Sequence, residues 1–467
     1  VRINTLKPYL YKWPYFDLSK SSKWRSEDAD WYVHEMPEDR EEIAKDSRWP
    51  CFFPGPISIV TTSDGDKNAL EKVVGACIVN RFPYIIALSF CNNRISDRHY
   101  ERKVFMKSLE NSGTVAVQFL PPGADLDNVM NKIANIPDED CYKRIKSTGL
   151  STFKAQTNDA RIFNSAYLAY EAKLVTPGKD FYQNPIFKSP YTDLGSHRVY
   201  YLEITAIQMS EVIAAEKEYI YWRSLPDWIG KGEMESNKSR KSSSAIPEGY
   251  KKGYTPHYCF PSENTISFES DYVKDGLAVK LMPPLQKDHV EVDNDKARWP
   301  CFFPSPLGIV TSYAEDGTPN MMPCGSVTIL NRHPLTIGIC IAYANINERY
   351  AARATLDFVR RNGRFGCGIP YIDEMVVDGI WYTGNVSFAK DRDKVKISGL
   401  NVRKGENSPI LTDLPIHYDC VVKDEIRLGT HILFLGEVTR IHVRKDVSEN
   451  NPLEWFPWAT VISRDVE

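Results

Sequence analysis

Short apolar and β-branched runs set the pattern of the chain. A first series covers residues 57–61, 76–79, 84–90, 114–120, 166–174 and 199–213. A second covers 308–312, 326–330, 335–342, 364–369, 417–422 and 432–443. Turn-forming Gly, Pro, Asn and Asp separate many of the runs, as expected of strands joined by turns. An amphipathic helix is predicted in each series, over 100–111 and over 349–362, and a short one over 38–44, started by Pro37. Many short strands with one prominent helix after the third predict a mainly β fold with a few helices. Each series reads as a small barrel, not as an alternating βαβ sheet.

The two series repeat each other. Arg48-Trp49-Pro50-Cys51-Phe52-Phe53-Pro54 returns 250 residues later (298 − 48) as Arg298-Trp299-Pro300-Cys301-Phe302-Phe303-Pro304. Asn80-Arg81 returns as Asn331-Arg332, Arg98 as Arg349 and Arg102 as Arg353, now 251 apart (353 − 102). Leu194-Gly195-x-His197 returns as Leu428-Gly429-x-His431, only 234 apart (431 − 197), so the first copy holds extra residues before this motif. Solenoid repeats recur every ~20–50 residues, so this period points instead to two tandem copies of one domain. The expected organisation is an N-terminal arm over 1–46, a first copy over 47–228, a linker and packing insertion over 229–296, and a second copy over 297–467. The arm is too aromatic for a disordered tail. The run Lys238-Ser239-Arg240-Lys241-Ser242-Ser243-Ser244 reads as an exposed linker segment.

Composition narrows the function classes. A net charge of −3 offers no global basic field for nucleic acid or an anionic membrane. No apolar run approaches the ~20 residues of a membrane span. The opening Val1-Arg2-Ile3-Asn4 shows no charged leader followed by an apolar core, so no secretory signal is expected. Ten cysteines stand singly without a C-x-x-C pair, which speaks against a metal ribbon, a thioredoxin-type site or an iron–sulfur cluster. Reduced thiols in a cytoplasmic protein, with no metal, are the expectation.

The second copy has the richer polar kit. Asp316-Gly317-Thr318-Pro319-Asn320 reads as a turn leading through Gly325 into Ser326-Val327-Thr328. Strand alternation puts Ser326 and Thr328 on one face, where two hydroxyls can donate to a planar heterocycle or a phosphate chain. Ordinary strand residues are the blander reading. Arg353 and Thr355, with Arg349 one helical turn earlier, suit a phosphate at a helix start. A solvated basic face is the plain alternative. His431 follows a Gly-Thr turn; a lone His is usually structural, but its counterpart His197 recurs in the first copy.

Taken in order, these pieces resemble the flavin-reductase-like FMN-binding split-barrel family, of the flavoredoxin type. The resemblance runs over about 305–445. It is carried by Ile309-Val310-Thr311, Asp316-Gly317-x-Pro319-Asn320, Gly325-Ser326-x-Thr328, Arg353-x-Thr355 and Asn362-Gly363-x-Phe365. It continues through Asp391-x-Asp393-Lys394, Ser408-Pro409-Ile410 and Leu428-Gly429-Thr430-His431. The first copy resembles the family more weakly, with Gly75, Cys77 and Val104 where the second has Ser326, Thr328 and Thr355. The resemblance implies two tandem split β-barrels forming an intramolecular pseudo-dimer, further homo-oligomerisation being open. It implies FMN held by Asn320, Gly325, Ser326 and Thr328 along the ring and chain, and by Arg349, Arg353 and Thr355 at the phosphate. His431 would face the nicotinamide or acceptor. The implied chemistry is hydride transfer from NAD(P)H, a transient reductant, to the flavin and on to a small-molecule or flavin acceptor. Alternatives are a flavoprotein dedicated to one organic substrate, a non-enzymatic flavin electron carrier, and haem binding through His431 or His197.

Overall fold

The computed structural model describes residues 58–210 and 308–444 apart from 74, 81–82, 95–100, 121–123, 167, 181, 346–351, 370–378, 380–381, 385 and 415, with separate strands at 31–35, 258–259, 277–280, 301–306 and 460–463. The first half, with the strand ahead of it, contains β1 (Trp31–Glu35), β2 (Ser58–Asp64), β3 (Lys67–Val73), β4 (Ala76–Asn80), β5 (Ile85–Cys91), β6 (Thr114–Phe119), β7 (Thr152–Lys154), β8 (Arg161–Phe163), β9 (Leu168–Leu174), β10 (Gly178–Lys179), β11 (Pro185–Ile186), β12 (Tyr191–Leu194) and β13 (His197–Ser210). There follow β14 (Tyr258–Cys259), β15 (Leu277–Lys280), β16 (Cys301–Pro306), β17 (Gly308–Tyr313), β18 (Pro319–Cys324), β19 (Val327–Arg332), β20 (Leu335–Ala342), β21 (Arg364–Ile369), β22 (Val402–Arg403), β23 (Ile410–Leu411), β24 (Ile416–Arg427), β25 (His431–Arg444) and β26 (Thr460–Ser463). The class is mainly β, as the pattern predicts, and every run read as a strand between 57 and 443 contains one.

The two large sheets share one order. The first runs β3-β2-β6-β9-β13-β5-β4 and the second β18-β17-β21-β24-β25-β20-β19. The strands β5 and β20, each one in from an end of its order, are buried along their whole length, which is why they read as continuous apolar runs. Pro319 and Pro323 lie in β18, at the end of its sheet, where a missing ladder donor is tolerated. Matching helices, Lys103–Ser112 and Ala354–Asn362, each end at a left-handed glycine, Gly113 and Gly363.

Several expectations need correction. The helix expected over 349–362 has its described start at Ala354, because Arg353 is extended (φ −97°, ψ 131°) and caps it. The helix expected over 100–111 starts at Lys103. One helix per copy is too few for the first half: Ala124–Asn135 and Cys141–Thr148 pack on β3 and on each other. β3 and β18 were not anticipated as strands; each forms a hairpin with the strand before it. The helix expected over 38–44, the 48–54 copy of the repeat and the 238–244 linker lie outside the described residues.

The halves are laced together. β1 precedes the first half but pairs with β25, the last long strand of the second. β15 precedes the second half but pairs with β13, the last strand of the first. Between the sheets lies a shared apolar core with Val79, Ile85, Val199 and Tyr201 from one half and Leu330, Leu428, Leu433 and Leu435 from the other. Backbones approach closely here. A Cβ on Gly75 would stand 2.5 Å from the Ile329 carbonyl oxygen, so the first-half counterpart of Ser326 has no room for a side chain.

A buried polar knot lies in the second sheet. The Asp419 carboxylate accepts from Ser408 Oγ (2.6 Å) and bonds His442 Nε2 (2.8 Å), and Ser408 Oγ also meets His417 Nε2 (3.0 Å). Burial holds His417 down at about 3. A histidine depressed in the folded state takes up its proton on unfolding at any pH between that value and its ordinary ~6.5. Stability should therefore fall as pH drops from 6.5 toward 3, at roughly 1 kcal/mol per pH unit for one proton. Thermal melts of wild type and His417→Gln across this range check it: the variant should lose much of the slope, and equal slopes would remove His417 from the account.

Candidate functional site

The exit of β20 is the point where the expected site residues meet. The Arg353 amide donates to the Ala342 carbonyl (3.1 Å), and the amides of Tyr343 and Ala344 both donate to the Thr430 carbonyl (3.0 and 3.3 Å). Asn345 Oδ1 accepts from the Ala352 amide (2.8 Å). Four consecutive residues thus tie the start of the helix Ala354–Asn362 to the turn that carries His431.

That turn is set by the other half. Asn80 Oδ1 accepts from the Thr430 amide (2.9 Å), Thr430 Oγ1 (3.0 Å) and the His431 amide (3.0 Å). Thr430 Oγ1 also meets His431 Nδ1 at 2.8 Å, so the half-buried imidazole is held at that nitrogen while Asn80 holds the backbone beneath it. The reciprocal arrangement holds in the first half. Asn331 Oδ1 accepts from Ser196 Oγ, and Ser196 Oγ meets His197 Nδ1, both at 2.8 Å. Asn80 positions the candidate catalytic His431, a role the sequence reading does not give it. The signal was the recurrence of Asn80-Arg81 as Asn331-Arg332, but its partner lies 350 residues away.

Asn320 and Thr355 come together. Asn320 lies in β18 and Thr355 in the first turn of the helix, and both are buried. Asn320 Nδ2 donates to Thr355 Oγ1 at 2.9 Å and to Ser312 Oγ at 3.3 Å. A hydroxyl that accepts this bond keeps its own proton to donate elsewhere. Asn320 Oδ1 is buried without a partner, a cost a folded chain rarely carries without reason. Arg353 is exposed at the helix cap, and among the described residues no carboxylate pairs with it. Arg349 lies outside the described residues, and its expected helical-turn relation to Arg353 does not pass through the extended cap. Gly325 and Ser326 form the bend between β18 and β19; Ser326 is not in the strand, though its carbonyl accepts from the Cys340 amide (2.9 Å). Thr328 is in β19 and buried.

Lys394 was missed as a site residue, although it stands in the Asp391-x-Asp393-Lys394 motif. It is buried, with Nζ 3.5 and 3.4 Å from the carbonyl oxygens of Thr383 and Val386. Burial first, and the nearby Arg353 charge second, push its ammonium down to about 7, with Asp391 opposing. Two cations and a helix start therefore converge on one place. An anion would relieve their repulsion and accept from Thr355. The residues present fit a phosphorylated flavin there: an orphaned carbonyl, an oriented hydroxyl and two cations.

The equivalent place in the first half is filled by the chain itself. Arg102, the counterpart of Arg353, pairs with Glu71 at 2.8 Å. Glu71 also binds fully buried Arg144 at 2.7 Å. At the start of the helix Lys103–Ser112, the Asp138 carboxylate accepts from the amides of Val104 (2.6 Å) and Phe105 (3.3 Å). Burial raises the Asp138 carboxyl above its ordinary value. Two internal carboxylates thus stand at this helix start in the first half, whereas among the described residues no carboxylate pairs with Arg353 or accepts from the helix amides in the second. No metal cluster occurs among the described residues, and no described helix is long and apolar enough to cross a membrane.

Known proteins resemble parts of this chain. Residues 300–459 match the family model described as flavin reductase like domain. An uncharacterized protein of Archaeoglobus fulgidus is 27% identical over 124 residues, which are 26% of this chain and 64% of that relative. The match thus spans less than two thirds of the relative's length. Flavoredoxin from Methanosarcina acetivorans is 22% identical over 30% of this chain and 70% of its own, with a TM-score of 0.27. Flavoredoxin of Desulfovibrio vulgaris (Miyazaki F) is 25% identical over 31% and 72%, TM-score 0.27. Nitrilotriacetate monooxygenase component B from Bacillus cereus is 22% identical over 40% and 94%, TM-score 0.33.

Proposed function

We propose that the chain, whose residues 300–459 match the flavin reductase like domain, is an FMN-dependent oxidoreductase made of two tandem split barrels, of which only the second holds flavin. In this reading NAD(P)H is the transient reductant and a small molecule or a second flavin the acceptor. The reading is supported by the contrast between equivalent places: Glu71 and Asp138 fill one, while among the described residues no carboxylate takes that role beside Asn320, Arg353 and Thr355 in the other. The domain limits 1–46, 47–228, 229–296 and 297–467, the pseudo-dimer and the cytoplasmic setting belong to the same proposal.

Bound FMN would supply the redox chemistry. The chain would supply binding and orientation. Thr355, its acceptor side taken by Asn320, would donate its hydroxyl proton to the phosphate. Arg353, Lys394 and, by resemblance, Arg349 would neutralise it. Ser326, Thr328, Gly325 and the bend around them would border the ring and ribityl chain. His431, held by Asn80 and Thr430, would hold or pass a proton at Nε2 beside the reductant or acceptor.

The test is the natively purified protein. It should be yellow, carry one flavin per chain and be bleached by NAD(P)H. Two flavins per chain would overturn the asymmetry. A flavin inert to both nicotinamides would leave a carrier, and a Soret band would replace flavin by haem.

A further inference from the structure

The extra residues of the first half have a definite place. Thr61, Ala116 and Glu171 lie opposite one another across β2, β6 and β9, as Thr311, Gly366 and Asp419 do across β17, β21 and β24. From Glu171 to Leu194 the first half runs 23 residues (194 − 171), where the second runs 9 from Asp419 to Leu428 (428 − 419). The surplus builds the β10–β11 hairpin, which the second half lacks.

This hairpin crosses to the other half. Val175, Ile186 and Phe187 root it in the shared core with Leu428, Leu433 and Leu435. At its tip, buried Asp180 binds in two directions. Its Oδ1 accepts from the amides of Tyr182 (2.9 Å) and Asn184 (2.7 Å), closing the turn. Its Oδ2 accepts from Tyr343 Oη (2.6 Å) and Arg427 Nη1 (3.1 Å), both in the second half. Gln183 (φ 67°) and Phe187 (φ 56°) hold left-handed backbone, a conformation that side-chain-bearing residues rarely adopt. Such strain persists where surrounding contacts over-determine the conformation, and it clusters at ligand sites.

The hairpin presents Tyr182. Its ring lies 6.0 Å from that of Tyr343, and its Oη accepts from the Asn345 amide (3.1 Å). These two residues belong to the β20 exit that binds Arg353 on one side and the His431 turn on the other. Yet 48% of Tyr182 stays exposed, against burial of most large apolar side chains of the described chain. A hairpin held only for packing has no need to keep a tyrosine half exposed beside a candidate site.

We infer that the first half serves the second as a substrate wall, with Tyr182 the face on which the planar ring of the reductant or acceptor lies. The inference rests on the proposed flavin reading. The ring chemistry is shared by a nicotinamide and an isoalloxazine, so separate arms distinguish them. Tyr182 is a specificity residue for the second ring, and Asp180 positions it.

The experiment uses full-length protein loaded with FMN and measures binding without turnover. NAD+, NADP+ and riboflavin are titrated against the bound flavin's absorbance and fluorescence in wild type, Tyr182→Phe and Tyr182→Ala. Tyr182→Ala should weaken at least one ligand roughly tenfold, the size of one lost aromatic stacking contact, and Tyr182→Phe should restore most of it. FMN affinity itself should change less than about threefold, because Tyr182 meets the helix start through Asn345 and Ala352 rather than at Arg353 or Thr355. Asp180→Ala should reproduce the loss, with faster proteolysis of the hairpin. Unchanged affinity for all three ligands in Tyr182→Ala, or a loss that Tyr182→Phe does not restore, overturns the inference. Failure of wild type to bind FMN is a different result, and it overturns the flavin reading beneath it.

Discussion

Replacing Glu71 by Ala should destabilise the protein by about 3–5 kcal/mol, the cost of stranding a buried charge. Glu71 and Arg144 are wholly buried, and Arg102 nearly so. Arg144 spends its remaining donors on the carbonyls of Leu70 (2.7 Å) and Ile136 (3.0 and 2.8 Å). Without Glu71, two guanidinium groups would face each other inside the first half, with Asp138 too engaged with helix amides to replace it. Glu71→Gln should cost less, since it keeps one acceptor oxygen for the two guanidinium groups, while it loses the charge and turns the other oxygen into a donor facing the Lys72 amide. Chemical denaturation of the two variants against wild type gives the comparison. A loss below about 1 kcal/mol for Glu71→Ala would mean the cluster is solvated, and the view of the first half as closed by its own carboxylates would fall with it. The second-half residue at this register is Met322: Val60 faces Glu71 as Val310 faces Met322. This position, together with Asp138 at the helix start, supplies the carboxylates of the first half that have no counterpart among the described residues of the second.

That position shows where the sequence stops being legible. Lys67-Asn68-Ala69-Leu70-Glu71-Lys72-Val73 carries three charges in seven residues and reads as a solvated segment. Only the hairpin with β2 and the helix Cys141–Thr148 turn Glu71 inward. Long-range partners of this kind leave no local pattern. Asn80 and the Thr430-His431 turn are the same case, as are Asp180 and Tyr343. What the sequence does carry is periodicity and repetition. The apolar runs located the strands because β5 and β20 are buried on both faces. The helix Ala124–Asn135 was legible too: Leu126, Val129, Met130 and Ile133 stand at helical spacing and are buried, so the expectation of one helix per copy ignores a plain signal. Thr355 and Asn320 were read as separate members of a motif, and their hydrogen bond adds what spacing alone lacks, a direction for the hydroxyl. Arg353 was assigned to the helix, but its extended backbone makes it the cap, which moves its side chain ahead of the first turn rather than along the helix face.

The phosphate assignment yields the second large effect. Arg353→Ala should weaken FMN roughly 10- to 100-fold, from the loss of one charge-assisted hydrogen bond worth ~1.5–3 kcal/mol. It should leave riboflavin, which has no phosphate, nearly unchanged, so the ratio of the two affinities isolates the contact from any loss of fold. Lys394 adds a pH signature. Its ammonium is held down to about 7 by burial and then by Arg353, and a bound phosphate would raise it again. The protonated form is then the one that binds. FMN affinity should be strongest below pH 7 and fall as pH rises past it, by at most about tenfold per unit until the bound-state value is reached. Measurements belong above pH 6.5, since the second phosphate proton titrates near ~6. Lys394→Met should bind FMN more weakly at pH 6.5 and show little slope. The order matters physically: Arg353 is exposed and screened, while Lys394 is buried and therefore felt more strongly by an anion placed beside it. An FMN affinity flat from pH 6.5 to 9 in wild type, or riboflavin weakened as much as FMN by Arg353→Ala, would move the phosphate away from this helix start.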